Sequence, residues 1–237
     1  MCSENIYING EYLKNNRTWG DEDSIWKSDI IIKLLHSNKI EPAEILEIGC
    51  GAGAILENIS QKCSFTKSLK GFDISPQAIK MAKKRETQHL TFYCEDFSLR
   101  KDIHSDLLLV IDVLEHLDDF YDFLRKIKSL SKYFVFHIPL DLSCRTILKP
   151  HVMLQQRNTV GHIHYFSEEM VLWFLKDTGF EIIESEYTKP VVDTNVADSF
   201  KRWVKKTLRN FSFKVNKKIS VKLWGGYSLM ILAKQNQ

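Results

Sequence analysis

A chain of 237 residues, 44% of them hydrophobic, suits one α/β domain with a full core, and its apolar runs, such as Leu107 to Ile111, are far too short to span a bilayer. The polar start Met1-Cys2-Ser3-Glu4-Asn5 lacks a signal peptide's apolar core, and five cysteines without a C-x-x-C pair argue against a disulfide framework, so a reducing cytoplasm is expected. The net charge of +3 is uneven: from Val191 onward ten Lys/Arg stand against two Asp/Glu, while the rest carries 23 against 28.

Residues 1–40 read as an N-terminal arm and a helix, and 41–237 as the single main domain. Tyr7 to Trp26 is rich in aromatic and polar groups without a steady period. Tyr12, Trp19 and Trp26 either pack as a plain arm or fold over the mouth of a site. Ser24 is a candidate N-cap, followed by a roughly helical stripe of Ile25, Ile30, Ile31, Leu34 and Leu35.

Glu44 to Ile48 predicts a short buried strand, and the glycines at 49, 51 and 53 a sharp bend that lets backbone approach a ligand. A helix from Ala54 to Gln61 follows, with its free N–H groups aimed at the bend. Strand, glycine bend and helix form the ligand-binding corner of a doubly wound α/β fold. Leu69 to Ile74 reads as a second strand, ending in Asp73. A carboxylate there can accept from ribose hydroxyls. Ser75-Pro76 opens the next helix, with Ser as cap and Pro at the first helical position.

Leu90 to Phe97 alternates like a third strand and ends in acids. Asp106 to Ile111 is a near-continuous apolar run, as for the centre of a parallel sheet. It delivers Asp112-Val113-Leu114-Glu115-His116 at its C-terminal end. Phe120, Phe123, Leu124 and Ile127 mark a helix, and Tyr133 to Pro139 a fifth strand that the proline ends. Leu140 to Val160 reads as a loop. Gly161 to Glu169 enters a helix capped by Ser167, which Gly179 stops before a sixth strand, Phe180 to Ser185.

An insertion at about 191–222 holds a basic amphipathic helix. Phe200, Trp203, Val204, Thr207, Leu208 and Phe211 form its apolar face, with Lys201, Arg202, Lys205, Lys206 and Arg209 opposite. The plain reading packs that apolar face on the chain's own domain. The second is peripheral contact, through 200–211, with an anionic membrane surface or a lipid-linked substrate. Nucleic acid is disfavoured, because no module pattern accompanies the charge.

Glu47-Ile48-Gly49-Cys50-Gly51-Ala52-Gly53 resembles motif I, E-x-G-x-G-x-G, of the class I S-adenosylmethionine-dependent methyltransferases. Asp112 to His116 resembles their V-L-E-H region, and Gly161 to Glu169 their G-H-x-x-x-F-(S/T)-x-E stretch. The likeness runs from about Ile45 to Ile183, with a last strand at Gly226 to Ala233, and is similar to small-molecule enzymes of the ubiquinone/menaquinone-biosynthesis type. It implies a three-layer Rossmann-like α/β fold, whose seven-stranded sheet is mostly parallel with an antiparallel last strand.

The resemblance also implies S-adenosylmethionine as cofactor, with S-adenosylhomocysteine as product. Its site would comprise Glu47, Gly49, Cys50, Gly51, Gly53, Asp73, Ile74, Asp96, Phe97, Asp112 and Val113. For transfer to oxygen or nitrogen, His116 leads as general base and His164 follows. Tyr12, Trp19, His162 and Tyr165 would meet the substrate, a small molecule or a glycan or lipid-linked precursor. No metal is required. A similar E-x-x-E-H set in relatives that methylate vicinal hydroxyls leaves open a divalent ion on Asp112, Glu115, His116 and His164, with His162 nearby. Two alternatives stay open. Gly49 to Ala54 also fits a loose G-x-G-x-x-(G/A), so an NAD(P)-dependent oxidoreductase is one. A non-catalytic binding module on the same scaffold is the other. A monomer or a homodimer is expected.

Overall fold

The computed structural model describes residues 7–8, 10–16, 18–97, 100, 103–189 and 200–236, with the side chains of 11, 15 and 200–202 left aside. Cys2 and the first part of the insertion, 191–199, lie outside the described residues. Among those described, seven strands form one sheet in the order β3-β2-β1-β4-β5-β7-β6. They are β1 (Glu44–Ile48), β2 (Ser68–Asp73), β3 (Leu90–Cys94), β4 (Ser105–Ile111), β5 (Ser131–Leu140), β6 (Phe180–Thr188) and β7 (Tyr227–Gln235). β1 to β5 pair in parallel, and β7 runs antiparallel between β5 and β6.

The helices in chain order are α1 (Glu11–Asn15), α2 (Asp21–Ser37), α3 (Ala54–Lys62), α4 (Pro76–Ala82), α5 (Phe120–Ile127), α6 (Cys144–Leu148), α7 (Pro150–Thr159), α8 (Glu168–Asp177), α9 (Phe200–Val215) and α10 (Lys217–Trp224). β4 shows why the core has two halves. Its successive side chains alternate across the pleat, so Leu108 and Val110 join the cluster on one face and Leu107, Leu109 and Ile111 that on the other. Phe134, Phe136 and Phe174 fill the first half, and Ile31, Leu35 and Leu56 the second. This sandwich makes the ends of β1, β2 and β4 a firm rim for a site.

Several local expectations are corrected. Ser24 is not the cap of α2: the helix begins at Asp21 after Gly20, and the buried Ser24 hydroxyl donates to Gly20 O. Asp21, Glu22 and Asp23 meet the positive helix start instead. Pro139 does not end β5, which continues to Leu140. The β4 pairing stops at His137, so the missing proline N–H falls where β5 has only β7 beside it. The stretch 140–160 holds two helices. Ser143 and Thr146 form a capping box on α6, and Pro150 sits in the first turn of α7. Ser75 and Ser167 cap their helices as their positions predict.

The insertion is turned over relative to the expected face. Trp203 is 55% exposed and Phe211 67%, whereas Arg209, assigned to the solvent side, is 4% exposed. The Arg209 guanidinium lies 4.4 Å above the Tyr227 ring and donates to Gly225 O. Phe213 stacks on the same tyrosine at 5.0 Å. The hairpin with α10, rather than the hydrophobic stripe of α9, decides which side faces in.

Candidate active site

A cavity of about 990 Å³ opens at the C-terminal ends of β1, β2 and β4. The glycines of the bend do different jobs. At Gly51, with φ +53°, an added Cβ would meet nothing nearer than Trp19, at 3.7 Å, so backbone is bared to the cavity. At Gly53 a Cβ would stand 2.5 Å from Phe92, so this glycine lets helix and sheet close up. The Gly51 N–H donates to Asp73 Oδ2 at 2.9 Å and the Ser75 N–H to Oδ1 at 2.8 Å. Burial pushes the Asp73 carboxyl up, and those two N–H groups pull against it. Glu47, almost fully buried, is pushed well above the carboxylate range by burial and then by Asp73. Asp96 and Phe97 complete this side of the wall.

Asp112 follows β4 with φ +53°, a conformation that Asp tolerates better than most residues. Its oxygens lie 2.7 Å from Lys27 Nζ and 2.6 Å from His137 Nδ1. His137 Nε2 sits 2.9 Å from the Thr188 hydroxyl. Burial opposes the charge on Asp112, but His137 and Lys27 overcome it and hold the carboxyl well below the usual range.

Beyond Asp112, a 3₁₀ turn (Leu114–His116) carries Glu115 and His116. The Glu115 carbonyl accepts from the N–H groups of Ile163 and His164, at 2.9 and 3.1 Å. That clamp draws His162 against the turn: its ring centroid lies 5.0 Å from that of His116. His162 Nδ1 is 2.8 Å from Asp141 Oδ2. His116 Nδ1 is 3.1 Å from Gly161 O and 2.9 Å from the Tyr7 hydroxyl. Burial, then the neighbouring His162, pushes His116 down to about 4, so it is neutral at pH 7. Glu115 is pushed well above the ordinary range by burial and then by Asp112. Tyr7, Tyr12 and Trp19 pack on one another over this region with their rings tilted, the centroids of Tyr12 and Trp19 4.6 Å apart.

Residues 23–185 match a family described as a methyltransferase domain. The chain belongs to that methyltransferase family. Nodulation protein S of Sinorhizobium fredii (strain NBRC 101917 / NGR234) is 32% identical over 111 residues, 42% of this chain and 49% of that protein. Pavine N-methyltransferase of Thalictrum flavum subsp. glaucum is 22% identical over 133 residues, 54% of this chain and 37% of that one. The match thus spans half or less of these curated relatives. Among solved structures, the N-methyltransferase NodS from Bradyrhizobium japonicum WM9, in complex with S-adenosyl-L-homocysteine, superposes with TM-score 0.57 at 19% identity, covering 89% of this chain and 86% of that one. Magnesium protoporphyrin IX methyltransferase from Synechocystis PCC 6803, with the same compound bound, gives TM-score 0.61 at 17% identity, covering 94% and 86%. At these identities the superpositions establish a shared methyltransferase fold.

In this methyltransferase domain the cavity is lined by Glu47, Gly49, Cys50, Gly51, Gly53, Asp73, Ile74, Asp96, Phe97, Asp112, Val113, His116, His162, Tyr12 and Trp19. His164 and Tyr165 are not in that wall. His164 Nε2 lies 2.9 Å from Leu117 O and its ring packs on Phe120 and Phe166, while the Tyr165 hydroxyl donates to Met153 O and His162 O. The consecutive N–H groups of Ile163 and His164 both turn to Glu115 O, so the loop does not alternate like a strand and His162 and His164 end on different sides. The alternative metal set, Asp112, Glu115, His116 and His164, is likewise not assembled: Asp112 is engaged by Lys27 and His137, and His164 faces away. What converges is Glu115, His116 and His162. Sequence reasoning missed Lys27, His137, Tyr7 and Asp141. His137 carried a signal, a polar residue inside the apolar run of β5; Lys27 sits on a helix where a lysine is unremarkable, and Tyr7 and Asp141 stand in stretches without a period.

Proposed function

We propose that this chain is an S-adenosylmethionine-dependent methyltransferase, transferring a methyl group to an oxygen or nitrogen of a small molecule or of a glycan or lipid-linked precursor. One observation carries the reading: a single cavity holds the glycine bend, Asp73 and Asp96 at one end and the Glu115–His116–His162 cluster at the other. Family membership supports it, as do relatives named as N-methyltransferases and related folds crystallised with S-adenosylhomocysteine.

The residues fit the cofactor. The bared backbone at Gly51 is a cradle that a Cβ would fill, and Asp73 stands at the next strand end, where ribose hydroxyls donate to a carboxylate. Asp96 and Phe97 would meet the base. When bound, the cofactor supplies an electrophilic methyl on a sulfonium. The protein's own part is positioning and drying. Tyr7, Tyr12 and Trp19 cover the cavity. The acceptor meets the Glu115–His116–His162 cluster, which governs its proton.

Calorimetry with S-adenosylmethionine and with NADH tests the cofactor. Binding of NADH alone would reassign the chain to nucleotide oxidoreductases. A methyl-transfer screen with extracts, reading S-adenosylhomocysteine, tests turnover; cofactor binding without product from any extract would leave a binding module.

A lipid-linked acceptor is favoured by the α9–α10 hairpin. Trp203, Leu208, Phe211, Val215, Ile219 and Leu223 are all about half exposed or more. Between Phe200 and Gln237 there are ten Lys/Arg and no Asp or Glu. Exposed apolar side chains in a stretch of sequence rich in Lys and Arg and without an acid of its own match an anionic bilayer surface.

A further inference from the structure

Glu115 is fully buried, and among the described residues neither of its carboxylate oxygens has a hydrogen-bond partner. A buried carboxylate in that state is costly unless a cation meets it. The nearest lysine is committed elsewhere, since Lys27 lies 2.7 Å from Asp112. What faces Glu115 Oε1 is a pair of imidazole nitrogens, His116 Nε2 at 3.8 Å and His162 Nε2 at 3.9 Å. The three donor atoms all lie within 4.8 Å of one another. Ligand atoms about 2.1 Å from a tetrahedral ion are separated by about 3.4 Å, so the carboxylate has to close by about half an ångström on each ring and the two rings by at most about 1.4 Å on each other.

A second layer stands behind both rings. Asp141 Oδ2 accepts from His162 Nδ1, and Gln156 Nε2 donates to Asp141 Oδ1, each at 2.8 Å. Gly161 O lies 3.1 Å from His116 Nδ1. A carboxylate or carbonyl only accepts, so each keeps the ring proton on Nδ1 and turns Nε2 toward Glu115. This is how proteins fix the tautomer and aim of metal-binding histidines.

We propose that Glu115, His116 and His162 bind one divalent first-row transition-metal ion, open on its cavity side to an oxygen atom of a bound molecule. Two imidazoles with one carboxylate favour zinc, cobalt, manganese or iron(II) over magnesium. The ion site stands on its own donors; that the bound oxygen belongs to a methyl acceptor rests on the methyltransferase reading.

The test uses the full chain, stripped with EDTA and titrated with ZnCl2 by calorimetry and with CoCl2 by visible absorption, beside Glu115→Gln and Asp141→Asn. The wild type is expected to take one ion per chain, to show cobalt bands of imidazole coordination, and to melt higher with zinc. Glu115→Gln should lose all three, yet melt no lower than wild type in EDTA, because the amide removes an unpaired buried charge. Asp141→Asn should bind zinc about 10–100-fold more weakly. If Glu115→Gln fails to fold, Asp141→Asn decides alone. Absence of a stoichiometric ion, or zinc affinity unchanged in the folded variants, overturns the site. S-adenosylmethionine binding on the same samples separates the two readings: cofactor without metal sinks only the ion site, and metal without cofactor sinks only the methyltransferase.

Discussion

Asp73 and Asp112 are both acids at the ends of the two parallel strands that flank β1, yet their surroundings push them in opposite directions. Asp73 is raised by burial and faces only backbone donors, whereas Asp112 is lowered by His137 and Lys27 against the cost of burial. Asp73→Ala should lose about 1.5–3 kcal/mol of cofactor affinity for each ribose hydrogen bond, read by calorimetry; an unchanged Kd would remove Asp73 from the site. Asp112→Asn leaves Lys27, with 12% of its side chain exposed, beside a neutral partner. Because 31% of the Asp112 side chain is still exposed, the loss at pH 7 should lie near the low end of the range for broken buried pairs, about 3 kcal/mol. The sign with pH follows from the lowered folded-state value. Asp112 stabilises the fold above the unfolded pKa of about 3.9, and that contribution fades as acid finally protonates the folded carboxyl. Melting curves of wild type and variant should therefore stay apart above about pH 4, begin to approach one another below it, and meet only in stronger acid, where the folded carboxyl is protonated. His116→Ala should leave cofactor affinity nearly intact and lower turnover by about 10²–10⁴; equal turnover would return His116 to a packing role.

At the scale of elements, the strands obeyed their local patterns and the connections did not. β1 matches its predicted bounds, Glu44 to Ile48, because a run buried on both faces leaves little choice of register. The helices of 140–160 were legible only through Ser143-x-x-Thr146 and Pro150, signals weaker than an apolar period. For α9 the periodicity was real, but an apolar stripe specifies only that one face is greasy, not that the protein covers it. If the stripe meets a bilayer, the double variant Trp203→Ala, Phe211→Ala should lose most co-sedimentation with anionic phosphatidylglycerol vesicles. The wild type should bind those and ignore neutral phosphatidylcholine ones. Pelleting of both proteins alike would sink the membrane contact.

For the whole molecule, ligand binding and folding are coupled, since the cavity is built from both ends of the chain's order. Tyr7 and Tyr12 at one end, and Ser228 at the other, share its wall. S-adenosylmethionine at 100-fold its Kd should stabilise the chain by about 2.7 kcal/mol. At about 2–4 °C per kcal/mol for a domain of this size, the midpoint should rise by about 5–10 °C, and NADH should leave it in place.

By itself, the order of residues determined the parallel sheet, the glycine bend and the acids at the strand tips. Those features are local: the strand run, the bend and the carboxylate follow one another along the chain. Only the tertiary structure decided that Lys27 and His137 claim Asp112, that His162 rather than His164 joins Glu115 and His116, and that Arg209 lies inside. Each of these pairs residues from separate elements, and which side chain of an irregular loop turns inward depends on the backbone hydrogen bonds that hold the loop, such as those from Ile163 and His164 to Glu115.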